Sequence, residues 1–196
     1  MVTTKEFKYL SDLEQKIIEE TNKLRSNPAA YAEQLVALKA YYDGNKIQLP
    51  GWVNPLMVEE GKSALEEAIA DLQTARPVPI LTPVEGLAIG ARDHAIDLGS
   101  NGLVGHIGTD GSQPIDRMNR YGTCTGVCGE NISFSDNTLS EARWHVMQLI
   151  IDDGVPNRGH RKALLNPEYQ MTGVACTTHT AYGETCVMTY AAEYEE

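Results

Sequence analysis

Residues 170–192 read QMTGVACTTHTAYGETCVMTYAA, and this stretch decides the fold class. Val174, Cys176, Val187 and Tyr190 fall in two β-prone runs separated by His179-Thr180-Ala181-Tyr182-Gly183, the pattern of a β-hairpin. Setting Cys176 opposite Cys186 brings Val174 across from Met188 and Thr172 across from Tyr190 on the same face. One cross-strand disulfide is sensible in that register. His179 then falls in the turn and is expected to face solvent.

Upstream of the hairpin the chain reads as helical. Ser11 and Glu14 form a capping box ahead of Leu13, Ile17, Ile18, Thr21 and Leu24, which recur at helical spacing over about 11–26. Asn27-Pro28 ends that helix. Further helices are predicted over about 29–42, 58–75, 84–100 and 139–151, the last carrying Trp144, Met147, Leu149 and Ile150 toward a core. Pro77, Pro79 and Pro83 force an extended connector, residues 48–55 read as loop, and Gly129 to Ser133 could be a strand. Helices followed by a terminal hairpin, with no internal repeat, predict an α+β layered domain.

At 196 residues the chain fits one domain, or one domain with an insertion. A net charge of −11 without any Lys/Arg run argues against a nucleic-acid partner. No uncharged apolar run reaches the roughly 18–20 residues that a bilayer span requires. The start, Met1 to Glu6, lacks the apolar core of a signal peptide, so a secreted protein would be seen here in mature form.

The cysteines fall into two local pairs, Cys124/Cys128 and Cys176/Cys186. Both pairs could close as disulfides or remain buried thiols, whereas a metal site at Cys124/Cys128 lacks the usual spacing and a second ligand pair nearby.

Three fragments carry the candidate chemistry: Gly105-His106-Ile107-Gly108-Thr109-Asp110-Gly111, then Gly129-Glu130-Asn131-Ile132, then Gly159-His160-Arg161 followed by Leu164-Leu165-Asn166-Pro167. Their order, with the Ala91 to Ala95 helix upstream, the Trp144 helix and the terminal strand pair, resembles the CAP superfamily of cysteine-rich secretory, antigen 5 and pathogenesis-related proteins. Bacterial-type and protist-type members are the most similar. The resemblance covers about 10–194, except 36–79, which reads as an insertion.

The resemblance implies a three-layer α-β-α sandwich with a terminal β-hairpin, in an extracellular or cell-surface protein. It also implies a cleft lined by two histidines and two acidic residues, matched here by His106, Glu130 and His160. The fourth position, occupied by glutamate one turn after the tryptophan in animal and plant members, is Met147 in this chain. His145, Asp152 or Asp153 could replace it, and His145 is the reserve ligand to test.

Two neutral imidazoles facing a cleft can bind Zn²⁺ or another divalent ion weakly, with a carboxylate orienting a ring or a water. Equally, Glu130 could simply tie three loops together by hydrogen bonds. The functional expectation is a binding module, for a divalent ion, a protein partner, or a lipid or sterol of the kind family members take. Tyr41, Tyr42, Trp52, Leu56 and Met57 could build the apolar surface for such a ligand, or bury as an ordinary helix-to-loop contact. The alternative is a metal-assisted hydrolase or protease using His106, Glu130 and His160. Ser133 has no glycine-flanked elbow to mark it as a nucleophile. His94 is expected to be a hydrogen-bonded core residue, and Arg161 to pin its loop to carboxylates or carbonyls.

Overall fold

The computed structural model describes residues 7–136 and 141–196. Ser11 Oγ accepts the Glu14 N–H at 3.3 Å while Glu14 Oε2 accepts the Ser11 N–H at 2.6 Å, so the predicted capping box starts α1 (Asp12–Ser26). Asn27 ends α1 and caps α2 (Pro28–Leu38) through Oδ1, with Pro28 in the first turn where a missing N–H costs nothing. A 3₁₀ turn follows, then three two-residue strands, β1 (Tyr42–Asp43), β2 (Lys46–Ile47) and β3 (Leu56–Met57), pair as a small sheet. This part of 36–79 reads from sequence as helix end and loop, because strands of two residues are too short to show a period.

α3 (Lys62–Thr74) leads through the proline connector to β4 (Thr82–Pro83), then α4 (Glu85–Asn101), which Gly102 closes in the left-handed conformation. α5 (Pro114–Met118) is one short turn, and β5 (Thr123–Ser135) contains the Gly-Glu-Asn fragment. α6 (Ala142–Ile151) starts after Glu141, whose backbone is extended; residues 139 and 140 of the expected helix lie outside the described residues. α7 (Gly159–Leu164), β6 (Met171–His179) and β7 (Gly183–Glu195) complete the chain.

The hairpin register is the predicted one: Cys176 pairs with Cys186, Val174 with Met188 and Thr172 with Tyr190. Both disulfides, Cys124–Cys128 and Cys176–Cys186, are formed. The main sheet has the order β4-β6-β7-β5, with β4 parallel to β6 and the rest antiparallel. β4 was not legible from sequence, because Pro83 is compatible only with an edge position.

Period-two alternation divides the sheet between two cores. Val174, Met188 and Tyr190 face α1 and α6, in one cluster with Ile17, Leu24, Trp144, Met147 and Ile150. Ala175, Val187 and Ile132 face Ala91, Ala95 and Leu98 of α4. The result is the expected α-β-α layering. Close approach of α4 depends on Gly173, where an added Cβ would collide with the backbone of Leu87 and Ala88.

Buried arginines lock the α1 and α6 layer. Arg25, fully buried, donates to the carbonyls of Pro79, Leu164, Asn166 and Tyr169 at 2.6–3.0 Å. Arg161 donates to Ile150 O at 2.7 Å and Ile151 O at 2.8 Å, and to Glu67 and Asp71 on α3. That is the pinning role expected for it. His179 differs from its expectation: it is buried, with Nε2 donating to Leu103 O and Nδ1 accepting from the N–H groups of Ala181 and Tyr182. Its ring closes the hairpin turn by supplying partners that the backbone of the three-residue loop 180–182 lacks.

Candidate functional site

β5 is the outer strand of the sheet, and its consecutive residues Glu130 and Asn131 point to opposite faces. On the α4 side, the loop after α4 carries His106. Gly105 (φ 103°) and Gly111 (φ 82°) supply backbone that other residues rarely adopt, and Asp97 anchors the loop by accepting from Thr109 N at 2.8 Å and Thr109 Oγ1 at 2.6 Å. Arg117, buried on α5, donates to His106 O at 3.0 Å and Ser112 O at 2.8 Å. The same guanidinium meets the Glu130 carboxylate at 2.9 Å and 3.1 Å.

Glu130 thereby sits in a nearly closed site beside the Arg117 guanidinium, its side chain 2% exposed. Its Oε1 accepts from His106 Nδ1 at 2.8 Å. A carboxylate only accepts, so Nδ1 carries a proton, and in the neutral tautomer of His106 Nε2 presents a lone pair. His94 lies behind, Nε2 donating to Gly105 O at 2.8 Å. Burial pushes its pKa below the usual histidine range, so it stays neutral and acts as the expected core residue.

On the other face, Asn131 Nδ2 donates to His160 O at 3.3 Å. His160 Nδ1 meets Asp152 Oδ1 at 2.6 Å, and Asp152 Oδ2 accepts the N–H groups of His160 and Arg161 at 2.9 and 3.1 Å. The tautomer argument applies again: Nδ1–H lies on the carboxylate, and in the neutral ring Nε2 carries the lone pair. Of the three alternatives His145, Asp152 and Asp153, Asp152 is the one in contact with His160. Asp153 is turned away, accepting from the N–H groups of Glu59 and Glu60.

His145, on α6, is fully buried between Ser133 Oγ at 2.8 Å and Glu184 Oε1 at 3.0 Å. Glu184 and this Ser133 contact were missed from sequence. The signal was present in the period-two spacing of Ser133 on β5 opposite Cys186, two residues from Glu184. Met147 is buried in the core, which explains why no acid occupies its position.

The layered α+β fold carries a histidine–carboxylate pair on each side of an edge strand, His106 with Glu130 and His160 with Asp152. A family model described as "CAP: Cysteine-rich secretory protein family" matches residues 18–190, and the chain belongs to that family. No curated protein matches the chain. Among solved structures it is similar to an outer surface protein from Borrelia burgdorferi, with 21% identity, covering 58% of this chain and 78% of that one, at a TM-score of 0.48. It is also similar to an extracellular protein containing a SCP domain from Bacillus anthracis, with 22% identity over 64% of this chain and 37% of that one, at a TM-score of 0.48. A third is NaASP2 with Zn²⁺, with 16% identity over 94% of this chain and 82% of that one, at a TM-score of 0.46.

Proposed function

We propose that this chain is an extracellular or cell-surface binding module whose cleft takes a divalent cation such as Zn²⁺ through His106 Nε2 and His160 Nε2. The observation that carries the reading is the matched pairing of each Nδ1 with a buried carboxylate, Glu130 at 2.8 Å and Asp152 at 2.6 Å. This is how ligating histidines are oriented and made better donors. The side chains of His106 and His160 are 46% and 27% exposed, so an ion could reach them from solvent. Two imidazoles with water in the remaining positions make a weak site that exchanges readily, unlike a four-ligand structural zinc centre.

Zinc titration by calorimetry on wild type, His106→Ala and His160→Ala tests the reading. Loss of binding in both variants supports it, and equal affinity in all three overturns it. The hydrolase alternative requires turnover that disappears in His106→Ala and depends on added metal.

A second reading, an apolar ligand, is favoured by one observation. Tyr42, Leu56 and Met57 line a hollow of about 190 Å³ with Trp144 and Ile151. Trp52 packs edge-on against Trp144 instead of lining it. Pockets for drug-sized ligands run to about 300–1,000 Å³, so this hollow suits the end of an acyl chain better than a sterol ring system. Quenching of tryptophan fluorescence by a brominated fatty acid, abolished in Leu56→Trp, tests it.

A further inference from the structure

We propose that the Cys176–Cys186 disulfide is a redox gate on a second metal site, which reduction opens and which Cys176, Cys186, His145 and Glu184 then form together. The inference is independent of the cleft reading. Cys176 on β6, Glu184 and Cys186 on β7, and Ser133 on β5 occupy one face of three adjacent strands, and α6 lays His145 across them.

The ligand atoms are already placed. His145 Nε2 lies 3.0 Å from Glu184 Oε1 and 3.7 Å from Cys186 Sγ, and these three atoms fall within 4.8 Å of one another. A tetrahedral zinc ion with bonds of about 2.0–2.3 Å has ligand-to-ligand edges of about 3.3–3.8 Å. The two measured edges lie close to that range. Only the sulfurs, bonded to each other in the oxidised chain, must move apart. While bridged, neither sulfur carries the thiolate charge that binds a metal.

Ser133 completes the design. Glu184 needs a proton on His145 Nε2, so in the oxidised protein the Ser133 hydroxyl donates to Nδ1. When a metal takes Nε2 the proton must sit on Nδ1, and Ser133 Oγ then accepts from it. A hydroxyl can serve both tautomers, whereas a carboxylate or an amide N–H could serve only one.

The reducing step needs two electrons, and a dithiol supplies them. Its thiolate attacks Cys176 Sγ, the less buried sulfur, and the S–S electron pair leaves on Cys186 Sγ beside His145 Nε2–H. The second thiol then displaces Cys176 from the mixed disulfide, giving the oxidised dithiol and two cysteine thiols. Binding of one divalent ion releases two thiol protons.

The test uses the full chain carrying Cys124→Ser and Cys128→Ser, so that only the hairpin sulfurs remain. Protein reduced with dithiothreitol and desalted without oxygen is titrated with Co²⁺ and then Zn²⁺. The expected result is one Co²⁺ per chain with a thiolate-to-cobalt charge-transfer band and tetrahedral visible bands, displaced by Zn²⁺ and absent from oxidised protein. Glu184→Gln and His145→Asn should each weaken binding by at least about tenfold. The cleft histidines cannot produce the sulfur band. Cobalt binding without it, unchanged affinity in both variants, or loss of the β-sheet circular dichroism signal on reduction would each overturn the proposal.

Discussion

Asp152 Oδ1 accepts the His160 Nδ1 proton at 2.6 Å from a backbone held at φ 60°, the residue that caps α6 in the left-handed conformation. The capping residue of one helix is thus the partner of His160 at the start of the next. Asp tolerates this conformation better than most residues because its short side chain bonds locally. Here it accepts three N–H groups while almost fully buried.

Asp152→Asn should therefore damage both stability and cation binding. An amide offers one acceptor oxygen and turns an NH₂ toward a donor, leaving a buried clash worth about 1–3 kcal/mol. Zinc affinity should fall by about 10–100-fold as the ring loses its orientation. Urea denaturation and calorimetry on the same preparation measure the two effects.

The turn between those helices depends on ionisation. Hydrogen bonds from Arg158, then from the Gly154 N–H, lower the Glu60 carboxyl from 4.5 to about 2. A folded-state value below the unfolded one means this contribution is fully present above about pH 4.5 and is lost as pH falls toward 2. Glu60→Gln should be less stable than wild type at neutral pH, with the difference shrinking as the pH falls through that window. Denaturation midpoints at a series of pH values check the sign.

Gly173→Ala should destabilise more than an ordinary surface change in a strand. The new methyl meets the α4 backbone at Leu87 and Ala88, which cannot swing aside as a side chain would. Overpacking of this kind costs about 1–3 kcal/mol or more. A drop in thermal midpoint of several degrees is expected, whereas Gly44→Ala, where an added Cβ meets nothing, should show only the smaller backbone cost of its φ of 56°.

The fold was legible where sequence carries a period: the capping box of Ser11 and Glu14, the helix of Leu87 to Leu98, and the hairpin register set by Cys176 and Cys186. The three short strands at 42–57 were not, because two residues cannot alternate visibly. Among the candidate site residues, His106, Glu130 and His160 stand out in the sequence because each follows a glycine. Asp152 was one of three alternatives, since helix phase is lost at the left-handed cap that aims it. Arg117 was illegible: nothing in Ile115-Asp116-Arg117-Met118 marks a charge that will be buried against a carboxylate 13 residues away.

The two disulfides should differ in what they contribute. Loop-closure entropy gives about 3 kcal/mol for the hairpin bridge and about 2 kcal/mol for the shorter one, from sequence separations of 10 and 4. Burial widens the gap. Cys186 is fully buried beside Val174, Met188 and His145, so removing its sulfur also opens a small cavity, whereas Cys128 sits on a partly exposed stretch of β5 next to a bulge. The double variant Cys176→Ala/Cys186→Ala should consequently lose more stability than Cys124→Ala/Cys128→Ala. It should still fold, because Val174, Met188, Tyr190 and the antiparallel ladder to β5 persist without the bridge. Equal losses in the two variants, measured by urea denaturation under non-reducing conditions, would mean that the hairpin is held by its ladder and core contacts alone.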